Sequence, residues 1–554
     1  MLQSLNSLRE TPAGQLLRLL GFRSWLLYPE ETPEYQISPP TSSTTDVETQ
    51  DQTHFEKVVS NIAATEHVPQ GPLARRLSQR GVSDVILVTW KENDPEHPRN
   101  WSNAKKNWIL GVILVYTFVV YCAASIIAPT VEYVKARYNV SDDLASLGLS
   151  MYVVGYGIGP MFFSPISEIP WVGRNPPYLI SVVLFFIVSI IMAVVDNFPA
   201  LIVLRFLQGL FGSPALVSGA ASLEDIYDMY TAPYGYVWWI GAMYCGPSFG
   251  PLLAGYAVVD NWRWAVWEMV IMASIVLILV PFLPETWGPK ILLDKARRLR
   301  QRSGNPAYMA PSELRDLHFG RTLAEALSKP TEIAIKDPAI GYACIYCAIV
   351  YATYYSFFEA FPIVYIEMYG MSLGGLGLIF TALSVGCVVG AAAYTTYMRF
   401  YFIPRAKRYH ENSGKPIEPE IWLEAGLVGV WGVPAGLLVF AFTARQDIHW
   451  IAPTAGIAIW AAFSFAVFQS IVCWLPPTYP RYVASLFASN DFTRSLLAAG
   501  FVQFTRPMYI RLGIDRGVSI LAGLSFLGVV GHYGLYFYGA KLRARSKFTD
   551  KAAP

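Results

Sequence analysis

The chain has 554 residues, of which 54% are hydrophobic and only 15% charged, and its formal net charge is +2. Soluble domains carry about 25% charged residues, and so small a net charge supplies no electrostatic footprint for nucleic acid. Runs such as "WILGVILVYTFVVYCAASIIA" and "YLISVVLFFIVSIIMAVV" reach about 20 residues, the length that crosses a bilayer as a helix, so the chain reads as an all-α membrane protein.

In chain order, residues 1–104 read as a cytosolic, largely disordered tail, because "SPPTSSTTDVETQDQT" is polar and poor in large apolar residues. Its beginning, "GQLLRLLGFRSWLL", fits either an amphipathic helix lying on the membrane face or an unstructured segment. Arg18 and Arg23 interrupt the apolar run and no small-residue cleavage site follows, so it does not read as a signal peptide. Twelve spans are then expected, at 108–128, 145–165, 178–196, 199–222, 235–259 and 264–283, and at 341–366, 373–398, 424–444, 450–475, 484–508 and 518–540. They form an N-terminal six-helix half, 105–284, and a C-terminal six-helix half, 341–541. A basic cytosolic linker containing "KILLDKARRLRQR", 285–340, joins the halves, and 542–554 is a cytosolic tail. Repeats of this kind place a substrate site at their interface near the midplane.

Arg99, Lys105, Lys106, the linker, "RFYFIPRAKR" and "KLRARSK" fall on one side of such a bundle, which puts both termini in the cytosol. Lys135, Arg137, Arg506, Arg511 and Arg516 fall on the other side and break the pattern. Asn139 opens an Asn-Val-Ser sequon in the first outer loop and is a glycosylation candidate.

Several motifs carry chemistry. Between spans two and three, "SPISEIPWVGRNPPY" holds the acid Glu168 and the pair Gly173 and Arg174; a cytosolic latch and a capped interfacial turn both fit. In span five, Gly246, Gly250 and Ala254 recur every four residues and line one helix face, while Pro247 and Pro251 bend the helix. Arg205, Glu268 and Glu359 are ionisable groups within spans four, six and seven, where a charge costs about 2.5–3.5 kcal/mol on insertion scales. A carboxyl group there can take a proton on one side and release it on the other. The plainer readings are a salt bridge of Glu268 with Arg263, a structural hydrogen bond at Glu359 and a snorkelling Arg205. Asp491 and Arg494 stand at i, i+3 on span eleven and can pair, as a structural contact or a gate at the cytosolic mouth. The aromatic run "VYATYYSFFEAFPIVY" of span seven either lines a cavity or packs. The six cysteines, including the C-x-x-C at Cys344 and Cys347, sit in apolar runs and read as packing residues; no metal site or cofactor is expected. No phosphate-cradling G-x-x-x-x-G-K-[ST] occurs, nor H-E-x-x-H or G-x-S-x-G, which argues against an ATP-driven pump and against an enzyme.

"NDPEHPRNWS", "GPMFFSPISEIPWVGRNPPY", "LRFLQGLFGSPALVSGAASLEDIY", "WWIGAMYCGPSFGPLLAGY", "NWRWAVWEM" and "FFEAFPIVY" occur in this order. Together they resemble the major facilitator superfamily, and within it the fungal twelve-span drug–proton antiporters of the branch named for benomyl and methotrexate resistance. Glu168 stands at the acidic position of the superfamily's loop pattern, Gly173 and Arg174 match its end, and Ile169 replaces the arginine expected after the acid. Arg205 occupies the family's arginine position in span four. The resemblance implies the major facilitator fold and proton-coupled efflux of small hydrophobic compounds, whether antifungal drugs or a fungal secondary metabolite. It implies proton coupling through Glu359, Glu268 and Arg205, and a latch at Glu168, Gly173 and Arg174. It further implies a monomer in the plasma membrane, the vacuolar membrane being the alternative site. A nutrient or polyamine transporter of the same superfamily is the alternative function.

Overall fold

The computed structural model describes residues 8–32, 86–91, 93–314, 328, 332–415, 417–479 and 483–546. The polar stretch 38–53 and the last eight residues lie outside them. The chain divides into two compact units. The larger holds all but the ends of the spans, from both six-helix halves; the smaller gathers the described parts of 8–106, the turn 166–176 and 281–314.

In the first half the spans are Asn103–Ser125, Asp142–Ser167, Asn175–Val194, the pair Phe198–Gly212 and Pro214–Ile226, Ala232–Ala257, and Trp264–Leu279. In the second half they are Pro338–Phe361, Leu373–Tyr397, Glu424–Thr443, Ile451–Thr478, Val483–Leu512 and Ile514–Arg545. Local sequence sets their starts. Asn197, Asp337 and Ser372 each accept a hydrogen bond from a backbone N–H of the first turn, and Pro follows Asp337 at the first helical position. Among the described residues, ten helical segments are long and apolar enough to cross a membrane. The other two of the twelve, Ala232–Ala257 and Val483–Leu512, are 26 and 30 residues long. Glycine, proline and tyrosine dilute the first, and Asp491, Arg494, Arg506 and Arg511 the second. The end of the bundle where span one begins is called the tail side below, and the opposite end the far side.

Within the larger unit, span seven packs against spans eleven and twelve, span nine against spans ten and twelve, and span five against span eight of the other half. Glycine makes the closest approaches possible. A Cβ on Gly250 would lie 2.1 Å from Ser125 Oγ and 2.8 Å from the Cys122 carbonyl oxygen of span one, and one on Gly246 would lie 2.6 Å from Tyr121 Cβ. The glycine face of span five therefore lies on span one. Gly377 of span eight meets the Pro251 carbonyl oxygen in the same manner, at 2.7 Å.

On the far side a short helix, Val131–Tyr138, ends at Asn139, which adopts the left-handed conformation that asparagine tolerates and is exposed. Lys135, Arg137 and Arg506, three of the cations that break the charge rule, are matched by acids there. Lys135 pairs with Glu132 and Asp142, and Arg137 and Arg263 both pair with Asp196.

In the smaller unit the linker helix Gly288–Ser303 buries Leu292, Leu293, Ala296 and Leu299 against Val88, Tyr308 and Ala310. Two short parallel strands, Ile86–Leu87 and Tyr308–Met309, close this core.

Candidate functional site

The larger unit holds a narrow, nearly closed cavity, about 10 Å³ and so room for about one water, lined by Met243, Tyr244 and Pro247 of span five, Val350, Tyr351 and Tyr354 of span seven, and Phe468 of span ten. It lies between the two halves. Its walls are aromatic and apolar, and none of the lining residues is charged. The i, i+3 spacing of Tyr351 and Tyr354 puts both on one face of span seven, and Pro247 belongs to the span-five motif.

Behind this wall stands the pair that the sequence offered as a gate at the tail-side mouth. Arg494 is buried, with Nε donating to Asp491 Oδ1 at 2.9 Å and Nη2 to Tyr121 Oη at 2.9 Å. Its Nη1 lies 3.1 Å from the Met243 sulfur, and its guanidinium sits 4.9 Å from the Tyr351 ring centre and 5.3 Å from that of Phe468. A buried cation needs a counter-ion and further donors' partners to offset its lost hydration, and aromatic faces add to these. Arg494 thus ties span eleven to spans one and five of the other half, beside the cavity rather than at its mouth. Asp491 Oδ2 is buried without a hydrogen-bond partner among the described residues. Tyr156 Oη completes the cluster, 2.5 Å from Tyr351 Oη and 2.9 Å from Tyr355 Oη.

Towards the far side, Glu359 is 8% exposed and faces Arg506 Nη1 at 3.9 Å. The same guanidinium lies 3.8 Å from Asp142, at the start of span two, and 3.9 Å from Glu367. One cation from span eleven is shared by carboxylates from both halves. Next to it Gln503 donates to Ser146 and Ser150 of span two, at 3.2 and 2.8 Å.

Glu268 is half-buried, and its Oε2 is buried with no hydrogen-bond partner among the described residues. The alternative salt bridge with Arg263 is not found among the described residues: Arg263 binds Asp196 at 3.2 Å and the carbonyl oxygens of Ala193 and Val195. Arg205 differs from expectation too. It is fully buried, so it does not snorkel, and its partners are not carboxylates. It donates to the carbonyl oxygens of Gly148, Ala123 and Ala124 at 2.8, 2.9 and 2.7 Å and to Gln208 at 2.9 Å, with the Tyr152 ring 4.3 Å below. Two of these carbonyls lie at the C-terminal end of span one, where unpaired oxygens and the helix dipole favour a cation. His532 is a packed residue whose Nε2–H donates to the Leu423 carbonyl oxygen at 3.1 Å.

In the smaller unit, the turn between spans two and three holds Glu168, half-buried, with Gly173 and Arg174. Gly173 has φ +79°, and a Cβ there would lie 2.5 Å from Glu285 Oε2, so both conformation and space require glycine. Glu285 was not singled out from sequence, yet it organises the turn. Its carboxylate accepts the N–H groups of Arg174, Asn175 and Trp287 at 3.0, 3.2 and 3.0 Å, at the start of span three. Burial pushes this carboxyl above its usual range, against the pull of those three hydrogen bonds. Arg174 is buried, donates to Ser167 Oγ at 3.2 Å and lies over the Trp287 ring at 4.8 Å. The only signal in the sequence was an acid just past the end of a span, in "PETWG", and nothing in its spacing links it to the turn.

The sequence model of the Major Facilitator Superfamily matches residues 113–504. The chain belongs to that superfamily. This facilitator is 41% identical over 470 residues to "MFS-type transporter pyvG" of Aspergillus violaceofuscus, covering 84% of this chain and 86% of the relative. It is 35% identical to the "Cycloheximide resistance protein" of Candida maltosa, covering 97% and 98%, and 35% identical to "Fluconazole resistance protein 1" of Saccharomyces cerevisiae, covering 86% and 87%. Among solved structures, the proton:xylose symporter XylE superposes with a TM-score of 0.56 at 14% identity, over 79% of this chain and 96% of that one. Facilitators bind cargo between their halves, which is where the aromatic cavity of this one lies.

Proposed function

We propose that this protein is a proton-coupled exporter of small hydrophobic compounds, working by alternating access. The observation that carries the reading is the uncharged aromatic cavity between the halves, in a chain whose relatives are fungal resistance and secondary-metabolite transporters. The cavity is nearly closed in this conformation; opened in another state of the transport cycle, its aromatic walls hold flat, apolar, chemically varied ligands by stacking and buried area. A polyamine would need carboxylates in the wall, and the seven lining residues supply none.

Glu359 is the proton carrier in this account. A proton taken from the far side neutralises it and ends its attraction for Arg506, which leaves that guanidinium to Asp142 of the opposite half and to Glu367. The far-side mouth then closes, and the proton leaves on the other side. Glu268 is a second candidate for the same role, Arg205 fixes the helices around it, and Glu168, Gly173 and Arg174 hold the tail-side turn as a latch. The protein sits in the plasma membrane with both termini in the cytosol, and it acts as a monomer.

The test uses a yeast strain lacking its own exporters and expressing this protein. Cells should accumulate less cycloheximide or fluconazole than the empty-vector strain, and a protonophore should abolish the difference. A difference that persists in protonophore contradicts the coupling, and no difference with either drug or with a panel of hydrophobic dyes contradicts the cargo class.

A further inference from the structure

The described N-terminal segment, 8–32, has two unlike faces. On one, Tyr28 is buried and the guanidinium groups of Arg9, Arg18 and Arg298 lie 5.0, 4.8 and 3.7 Å from its ring centre. Glu31 accepts both terminal nitrogens of Arg18, at 2.9 and 2.7 Å, and Leu26 is buried beside them. This face is built and satisfied. On the other, Leu16, Leu19, Leu20, Phe22 and Trp25 are between 47% and 85% exposed. The helix Pro12–Leu17 runs on through Arg18–Phe22, where Gly21 at φ +104° breaks it. Five large apolar side chains within ten residues form a patch, not scattered exposure, and such patches mark a contact surface.

The segment is held where the chain enters and leaves the bilayer. Glu10 takes Lys105, in the first turn of span one, and the Glu10 carbonyl oxygen accepts the Glu285 N–H at 3.2 Å, three residues beyond Phe282 at the end of span six. Lys105 also stands over the Trp101 ring, 3.4 Å from its centre. These pins tie residues 8–32 to the chain at the start of span one and just past span six.

We propose that residues 12–25 are an interfacial anchor whose apolar face rests in the tail-side leaflet. The occupant is lipid because the segment is pinned to the two stretches of chain that adjoin spans one and six, and because leucine with phenylalanine and tryptophan is the side-chain set that enters the headgroup–acyl boundary. Arg23 beside the patch is bound to Glu31 through Nη2 at 2.7 Å, with 63% of its side chain exposed. The anchor is independent of the cargo and of proton coupling.

The experiment places a nitroxide at Leu19→Cys of the full chain in nanodiscs of phosphatidylcholine and phosphatidylserine, with Trp25→Cys as a second position. The unsubstituted protein, whose six cysteines are buried or half-buried, supplies the background. Accessibility to oxygen should exceed accessibility to a water-soluble nickel chelate severalfold, as at Ile187→Cys on the exposed side of span three. Nickel accessibility above oxygen at both positions puts the segment in water and overturns the proposal. Low accessibility to both reagents means that protein covers the patch, which overturns it equally.

Discussion

Arg205 shows how a charge inside the membrane can be read in sequence while its partners stay hidden. Its depth marked it as costly, and the family arginine position suggested a relay on a carboxylate. In the structure four of its five N–H groups go to three carbonyl oxygens and an amide. Sequence spacing cannot show this, because the acceptors are backbone atoms of spans one and two, 57 to 82 positions away. Arg205→Leu should strand those acceptors at about 1–3 kcal/mol each and lower the melting temperature of the protein in detergent. Arg205→Lys should recover only part of it, since one ammonium cannot reproduce the forked geometry. An Arg205→Leu protein with wild-type melting and no transport would instead return the residue to the proton pathway. Glu285 is the converse, an acid that organises a turn yet is invisible to spacing. Glu285→Gln keeps the shape but weakens acceptance of three backbone N–H groups, and hydrogen bonds to a charged group contribute about 1.5–3 kcal/mol. Transport should fall at equal surface expression with little change in apparent affinity for cargo. A wild-type rate would mean that the turn between spans two and three is only a connection.

Among the elements, periodicity and length were enough to place the spans, and the structure keeps the order of all twelve. The two least apolar, spans five and eleven, are the two that touch the most chemistry. Span five gives up hydropathy to glycine and proline for close packing, and span eleven to the charges Asp491, Arg494 and Arg506. The glycine face of span five was legible because a repeat of four needs no partner to be seen, whereas its neighbour, span one, could only come from the fold. Gly250→Val puts methyl groups where the Cys122 backbone and Ser125 already stand, and overpacking of this kind costs about 1–3 kcal/mol. Lower expression and melting temperature should follow, and a fully stable variant would show that spans one and five are not in register as described. In the N-terminal segment burial disfavours the charged form of Glu31, yet hydrogen bonds from Arg18, the Tyr28 N–H and Arg23 outweigh it and hold the carboxyl at about 2. Its folded pKa is depressed, so its stabilising contribution is complete above the ordinary carboxylate range and is lost only as pH falls towards 2. Glu31→Gln should therefore leave the shape of the transport pH profile between about 5 and 8 unchanged, whatever it does to the rate.

At the scale of the whole molecule, the aromatic cavity is closed on the far side by Arg506 and its three carboxylates and by Gln503 on span two. On the tail side Gln469 of span ten donates to the Pro233 carbonyl oxygen of span five at 3.0 Å, and Tyr236 meets Phe487. The two-half plan was legible from the break at the linker. The cross-half contacts were not, since each joins residues more than one hundred positions apart. Asp142→Asn should weaken the far-side closure and shift the protein towards far-side-open forms, read as faster labelling of a cysteine at Val350 from that side. Unchanged labelling would remove Asp142 from the gate. The most direct test of the central claim is uptake of a fluorescent hydrophobic dye by purified protein in liposomes with an imposed pH gradient, comparing wild type with Glu359→Gln. The account predicts gradient-dependent uptake by the wild type and its loss in the variant with the protein still folded. Wild-type uptake that needs no gradient, or a Glu359→Gln protein that remains fully gradient-driven, would contradict it.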